Sequence, residues 1–124
     1  MTGLTFDTGA LIALERRRQR IRELIEHALA RDLVITVPAD VVAEWWRGRT
    51  DARDAILESV DVEPLTEGLA KRAGEALASV RGATLVDAIV MASAATRGDV
   101  VFTSDVEDLE RLRRYFPGVR VLGI

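Results

Sequence analysis

The chain contains no cysteine and only one histidine, His27, and each scarcity excludes a class of chemistry. Disulfide bonds and thiolate zinc sites need cysteine. Catalysis by a histidine pair needs a second histidine, and we expect His27 to be an ordinary residue of a helix surface. Long apolar runs are missing too, because the stretch at residues 85–96 falls short of the roughly 20 residues of a membrane span. We therefore expect a cytoplasmic domain without a membrane segment or a signal peptide.

The chain has almost no lysine, and its arginines are unevenly distributed. Lys71 is the only lysine, the net charge is −3, and arginines crowd into residues 16–22. A second group consists of Arg111, Arg113 and Arg114. Both groups fit solvated helix faces, and both also fit a footprint on a phosphate backbone, since arginine suits phosphate contacts. The sequence leaves these two interpretations open.

Four carboxylates lie in stretches that are otherwise apolar: Asp7, Glu44, Asp87 and Asp105. No basic residue lies within those stretches to neutralise them. Burying a lone carboxylate is costly unless the group is paired or binds a metal. Oxygen ligands without cysteine or clustered histidine favour hard cations, Mg²⁺ or Mn²⁺. If the fold gathers these four acids, they predict a site for a divalent cation.

The length of 124 residues fits one domain, residues 1–124, in which strand-like and helix-like patterns alternate. The predicted strands are residues 4–7, 33–37, 60–62, 100–103 and 119–122. The predicted helices are residues 8–14, 21–29, 38–47, 51–57, 66–80, 84–96 and 104–114. The last helix is predicted to begin at a capping box of Ser104 and Glu107. Strands separated by helices predict an α/β fold, a three-layer α/β/α sandwich around a central parallel sheet.

In a sheet of this kind, ligands collect outside the carboxyl ends of the strands. Asp7 and Asp105 follow predicted strands, and we expect Glu44 and Asp87 in the first turns of their helices. All four acids are therefore predicted to meet at one edge. Each acid also has a simpler interpretation. The three aspartates fit charges that favour helix N-termini, and Glu44 fits a solvent-facing residue beside Asp40.

The chain resembles PIN domains of the VapC toxin type in four segments: FDTGALIAL at 6–14, VPADVVAE at 37–44, DAIVMA at 87–92 and TSD at 103–105. The resemblance runs through the whole chain in the family's order. It implies a Mg²⁺- or Mn²⁺-dependent endoribonuclease that acts on RNA, the toxin of a toxin–antitoxin pair. It also implies a VapB-like antitoxin as partner and a homodimer.

Position by position, the resemblance assigns the four acids, Asp7, Glu44, Asp87 and Asp105, to the catalytic metal site. Thr8 and Thr103 match polar positions at the rim of that site. Asp108 lies one helical turn beyond the fourth acid and is expected in the outer shell. Family members often carry an aromatic residue near the fourth acid, where this chain has Leu109, a peripheral departure.

A second function also fits the sequence: a catalytically silent PIN-like module that acts by binding protein or RNA. Trp45 and Trp46 are adjacent, so on a helix they point roughly 100° apart. Both fit packing in and around the core, and an exposed one fits an anchor for an antitoxin helix. A metal-dependent cleavage assay separates the enzyme from the binding module.

Overall fold

The computed structural model describes residues 3–124, and within that part of the chain five strands and seven helices alternate. The strands are β1 (Leu4–Phe6), β2 (Ile35–Pro38), β3 (Asp61–Glu63), β4 (Val100–Thr103) and β5 (Arg120–Gly123). The helices are α1 (Thr8–Glu15), α2 (Gln19–Ala30), α3 (Ala39–Trp45), α4 (Asp51–Glu58), α5 (Glu67–Ser79), α6 (Leu85–Arg97) and α7 (Val106–Leu112). The order of elements is the one predicted from the sequence.

The sheet is wholly parallel, with the strand order β3-β2-β1-β4-β5. Leu4 in β1 pairs with Ile35 of β2 on one side and with Val100 of β4 on the other. The chain therefore builds outwards from β1 to β3 and then crosses back to build β4 and β5. Strand order reverses between β1 and β4, and a ligand crevice is expected outside the carboxyl ends of these two strands.

The helices cover both faces of the sheet, which confirms the predicted three-layer sandwich. Right-handed connections place the helices of the β1-to-β3 half on one face and those of the β3-to-β5 half on the other. Accordingly, α1 contacts α2, α3 and α4, whereas α6 contacts α5 and α7, and α3 is the helix of the first group that also contacts α6. No helix in residues 3–124 is long and apolar enough to cross a membrane.

Helix α6 is the interior helix that its apolar sequence predicts. Every residue from 88 to 94 is buried. Thr84 caps the start of the helix, and Gly98 ends it in the left-handed conformation at φ 72°. Because the helix runs from the carboxyl edge of the sheet towards the start of β4, its first turn holds Asp87 at the edge where ligands collect.

A network around Arg97 joins the far end of α6 to two strands, β1 and β3, and to Asp99, the residue before β4. Its guanidinium donates to Asp99 (2.8 Å), to Glu63 and to the hydroxyl of Thr5 (3.0 Å). Asp99 also accepts a hydrogen bond from Thr5 at 2.9 Å and is only 3% exposed. A buried carboxylate of this kind is tolerated because it is paired and hydrogen-bonded.

Three local predictions were wrong. Glu44 lies in the last turn of α3, because that helix ends at Trp45. Pro38 ends β2 and is the N-cap residue of α3, one residue before the first turn in which it was predicted. The capping box is absent from the described chain, since α7 begins at Val106 and its N-cap residue is Asp105. The reason for the last error is that the Thr103 hydroxyl accepts the backbone N–H of Asp105 at 2.9 Å, which delays the start of the helix.

Candidate active site

Asp7 lies directly after β1 and is the N-cap residue of α1. One carboxylate oxygen accepts the backbone N–H of Ala10 at 2.9 Å, and the other accepts the hydroxyl of Thr103. The side chain is only 8% exposed. Burial raises the pKa of Asp7, the hydrogen bonds from Thr103 and Ala10 oppose that rise, and the charge of Asp105 adds to it. The carboxylate is thus held rigidly at the crevice between β1 and β4.

Thr103 links the ends of these two strands. Its buried hydroxyl donates to Asp7 and accepts the backbone N–H of Asp105. A hydroxyl can do both at once, because it carries one hydrogen and two lone pairs. The sequence predicted Thr103 as a rim residue, whereas the structure gives it a fully buried position that aligns two acids.

Asp105 and Asp108 form a pair of carboxyl groups at the start of α7. Asp105 is exposed, and its side chain makes no capping bond to the helix. A hydrogen bond with the Asp105 carboxyl, together with the charge of that group, raises the pKa of Asp108. Asp108 also lies 3.3 Å from Arg111. The predicted outer-shell residue is therefore in contact with the fourth acid.

Glu44 reaches the site from α3, a helix that contacts α1. The hydroxyl of Thr8 donates to a Glu44 carboxylate oxygen at 2.5 Å, which fixes an otherwise exposed side chain. The prediction that Asp40 lies on the same side of the helix is confirmed, since the charge of Glu44 contributes to a raised pKa of Asp40. The largest cause of that raised pKa is burial.

Asp87 is the most perturbed of the four acids. Burial raises its pKa to about 6, the hydrogen bond from Thr84 opposes the rise, and the charges of Asp7, Asp108 and Glu44 add to it. These charges come from the N-cap of α1, from α7 and from α3. Asp7, Glu44 and Asp108 are thus close enough to Asp87 for their charges to act on it.

These acids have no basic partner. Among residues 3–124, no ion pair joins Asp7, Glu44, Asp87 or Asp105 to an arginine or lysine. Clustered carboxylates without a counter-charge repel one another, and one proton or cation relieves that repulsion. The cluster therefore favours a bound cation over an internal ion pair.

The donor chemistry fits Mg²⁺ or Mn²⁺, although the acids do not form a closed cage. In the described chain no three acidic or histidine side chains lie close enough together to hold one ion directly. Mg²⁺ usually keeps several waters and is bound through one or two carboxylates. The residues that fit such a hydrated ion are Asp7, Glu44, Asp87 and Asp105.

Two residues at the site were missed by the sequence interpretation or given no role there. Gly9 packs so closely on the β4–α7 loop that an added Cβ would lie 2.0 Å from the Ser104 oxygen and 2.9 Å from its Cβ. Asp40 keeps both carboxylate oxygens buried with no hydrogen-bond partner in residues 3–124. The available signal was closeness in sequence. Gly9 lies two residues after Asp7, and Asp40 lies one helical turn before Glu44.

Comparisons with known proteins identify the fold and the family. The PIN domain family matches residues 4–115, and no curated protein matches the sequence. A structure of DNA-bound VapBC from Salmonella typhimurium is similar, with a TM-score of 0.78 and 18% identity over 99% of this chain and 98% of that one. A structure of VapBC2 from Rickettsia felis bound to a promoter DNA fragment has a TM-score of 0.78 and 12% identity over 98% of each chain.

A toxin–antitoxin complex from Klebsiella pneumoniae has a TM-score of 0.75 and 20% identity over 94% of this chain and 95% of that one. At identities this low, the structural similarity establishes a shared fold and nothing more. The family match covers most of the chain and includes the segments that carry Asp7, Glu44, Asp87 and Asp105. The chain belongs to the PIN domain family.

Proposed function

We propose that the protein is a Mg²⁺- or Mn²⁺-dependent endoribonuclease of the VapC toxin type. PIN domains are generally nucleases, and the solved structures that share this fold include VapBC complexes. One observation carries the proposal: carboxylates without basic partners meet where strand order reverses, and their mutual charge and burial raise the pKa of Asp87 to about 6. Such a site lowers its energy by binding a cation.

The four acids, Asp7, Glu44, Asp87 and Asp105, are proposed to hold the metal. When bound, the metal supplies an activated water and neutralises charge on the scissile phosphate. The remaining work belongs to the protein. Thr103 orients Asp7 by donating to it, Thr8 holds Glu44, and Asp108 shares a hydrogen bond with Asp105. The reaction proposed is hydrolysis of an RNA phosphodiester that leaves a 5′-phosphate.

No side-chain base competes with this mechanism at the site. His27 is exposed on α2 and contacts Arg31 at 2.9 Å. It lies in the last turn of that helix, which leads to the start of β2 and so is away from the carboxyl ends of β1 and β4. The prediction that His27 is a surface residue is confirmed, and the proposed chemistry depends on the acids.

A VapB-like antitoxin is the proposed partner, and a homodimer is the proposed assembly. The fold is shared with chains of VapBC complexes, which supports such a partner. Trp46 is half-buried and packs edge-to-face on Trp45 at 6.1 Å. Trp45 is a core residue whose indole donates to Glu15 at 3.0 Å, so Trp46 is the one that remains available to a partner.

This division changes how the partner is tested. Trp45→Ala would remove a core side chain and destabilise the fold, so loss of binding would be uninformative. Trp46→Ala is the informative variant. We expect it to weaken binding of a VapB-like peptide while leaving the melting curve nearly unchanged. Unchanged affinity would exclude this surface, and a monomer in light scattering at every concentration would exclude the homodimer.

The silent binding module is favoured by one observation: residues 3–124 contain no three acids close enough together to hold an ion directly. The deciding experiment is to sequence the 5′ ends of RNAs treated with purified protein and Mg²⁺, in the cytoplasmic RNA pool where we propose that the protein acts. We expect new 5′-phosphate ends that disappear with Asp7→Asn. If wild type and Asp7→Asn give the same ends, the binding module is the better account.

A further inference from the structure

A groove of about 580 Å³ opens beside the acidic edge, between α1, the start of α2 and the loop after β4. Gly9 and Ser104 form part of its wall. These residues immediately follow Thr8 and precede Asp105, so the groove begins where the acidic site ends. A chain-like ligand whose reacting bond lies at the acids can continue into this groove without leaving the surface.

The groove is positively charged. Arg16, Arg18 and Arg20 line it, and none of its lining residues is acidic. All three arginines are exposed and take part in no ion pair within residues 3–124. A second cavity, of about 440 Å³, shares Ile12 and Arg16 with this groove but is also lined by the acids Glu15 and Glu44. An anionic strand therefore has a reason to enter the first groove and not the second.

A strained turn brings these arginines together. The N–H of Arg17 bonds to Leu14 and that of Arg18 to Ala13, the pattern that ends a helix with a left-handed residue. Arg17 is that residue, at φ 55°, where glycine is usual. The turn folds the start of α2 back beside α1, so the arginines before and after it line one groove. No side chain caps the first turn of α2, whose N–H groups add to the positive potential.

The floor of the groove is apolar. It includes Ile12, Ala13, Ile21 and Ile124, and Ile12 is 36% exposed. The lining has no aromatic side chain on which bases could stack. Bases would lie on the apolar floor and on guanidinium planes, as they do in many single-strand sites. Such contacts are tolerant of sequence, whereas the arginine contacts require phosphate.

We propose that this groove binds single-stranded RNA as the strand leads away from the scissile bond. This inference rests on the proposed ribonuclease function. Arg16, Arg18 and Arg20 bind the phosphates of the nucleotides next to the cleavage position. The acids repel phosphate, so the affinity for the strand comes from the arginines, and the metal-binding acids act only at the bond that is cut. Phosphate binding by arginine gives affinity without reading sequence.

The test is a binding experiment without cleavage. Fluorescence anisotropy of a labelled 12-nucleotide oligouridylate is measured in EDTA at several NaCl concentrations. The variant Arg16→Gln/Arg18→Gln/Arg20→Gln is compared with Arg31→Gln/Arg114→Gln/Arg120→Gln, which changes net charge equally. The control arginines are exposed and lie at the opposite edge: Arg31 and Arg114 follow helix ends, and Arg120 is the first residue of β5. Circular dichroism checks that both proteins fold.

We expect each groove arginine to contribute roughly fivefold in affinity, so that the triple variant loses on the order of 100-fold. The slope of log affinity against log salt should fall by about 2, since one single-strand phosphate contact contributes about 0.7. The control triple variant should change little. Arg17→Gly, which keeps the lining arginines and eases the backbone, should bind RNA as the wild type does.

Equal losses in both triple variants, or no loss in the groove variant, would overturn the proposal. A 12-residue polyglutamate peptide tests the other occupant. If the groove variant loses the peptide but keeps RNA, the groove binds acidic protein and the proposal is wrong. Failure of the ribonuclease function gives a different result, namely RNA bound through the groove and left uncut in Mg²⁺.

Discussion

Replacing Asp87 with asparagine should make the metal-free protein more stable while removing its activity. The pKa of Asp87 is raised from 3.8 to about 6, mainly by burial, so the native state disfavours the charged carboxylate. The difference between the two pKa values corresponds to about 3 kcal/mol. Asp87 is only half-buried, and solvent screening reduces this to about 1.5 kcal/mol. Asparagine loses about 0.5 kcal/mol of favourable charge near the N-terminus of α6.

The net expected gain is about 1 kcal/mol in the free energy of unfolding at pH 7 to 8. For a 124-residue domain this corresponds to a rise of about 4 °C in melting temperature. The gain depends on pH in one direction. Below pH 4 both folded and unfolded Asp87 are protonated, so the native state carries no penalty. As pH rises from about 4 to 6 the unfolded carboxylate ionises first, and stability is lost until the folded group ionises too.

The assay is thermal unfolding of wild type and Asp87→Asn in EDTA at pH 4, 6 and 8. Asp51→Asn is the matched control, because Asp51 also lies in the first turn of a helix and is exposed. We expect a gain for Asp87→Asn at pH 8 that is mostly lost at pH 4, and a slight loss for Asp51→Asn. A variant that is less stable at pH 8, or one that still cleaves RNA with Mg²⁺, would refute the reasoning.

Three further substitutions test the surrounding structure. Gly9→Ala should lower the free energy of unfolding by about 1–3 kcal/mol, because the added Cβ meets Ser104. The control is Gly74→Ala, which has open space around it and should stabilise its helix in the same denaturant titration. Arg97→Gln should cost about 3 kcal/mol by leaving Asp99 buried without its ion-pair partner, and a melting temperature within 2 °C of wild type would contradict this. Arg17→Gly should gain about 1 kcal/mol by removing the strain at φ 55°, and a loss in urea unfolding would show that the arginine side chain stabilises the turn.

The architecture could be predicted because its signals are local. The isolation of Asp87 in an apolar helix, the strand-like runs before Asp7 and Asp105, and the helix-ending Gly98 each depend on a few neighbouring residues. Parallel strands then bring separate acids to one edge by topology alone. The expectation that the acids gather there rests on periodicity and strand position, and the influence of Asp7 and Glu44 on the pKa of Asp87 agrees with it.

Details that depend on distant packing were not predictable in this way. The position of Glu44 in the last turn of α3 follows from where that helix ends, which the sequence placed about two residues too late. The hydroxyl of Thr103 displaced the expected capping box by bonding two acids from different strands. The role of Gly9 becomes clear only in the folded structure, where Ser104 packs against it. The contacts of Thr103 with Asp7 and of Gly9 with Ser104 join residues far apart in the chain, and local patterns carry no record of them.

The most direct test of the shared metal site is a Mn²⁺ titration followed by thermal unfolding. With free metal a hundredfold above its dissociation constant, the wild type should gain about 2.7 kcal/mol, or about 10 °C for a domain of this size. Asp7→Asn and Asp105→Asn should melt higher than wild type without metal and should lose most of the metal-induced gain. If all three proteins melt alike with and without Mn²⁺, the four acids do not form a metal site and the account is wrong.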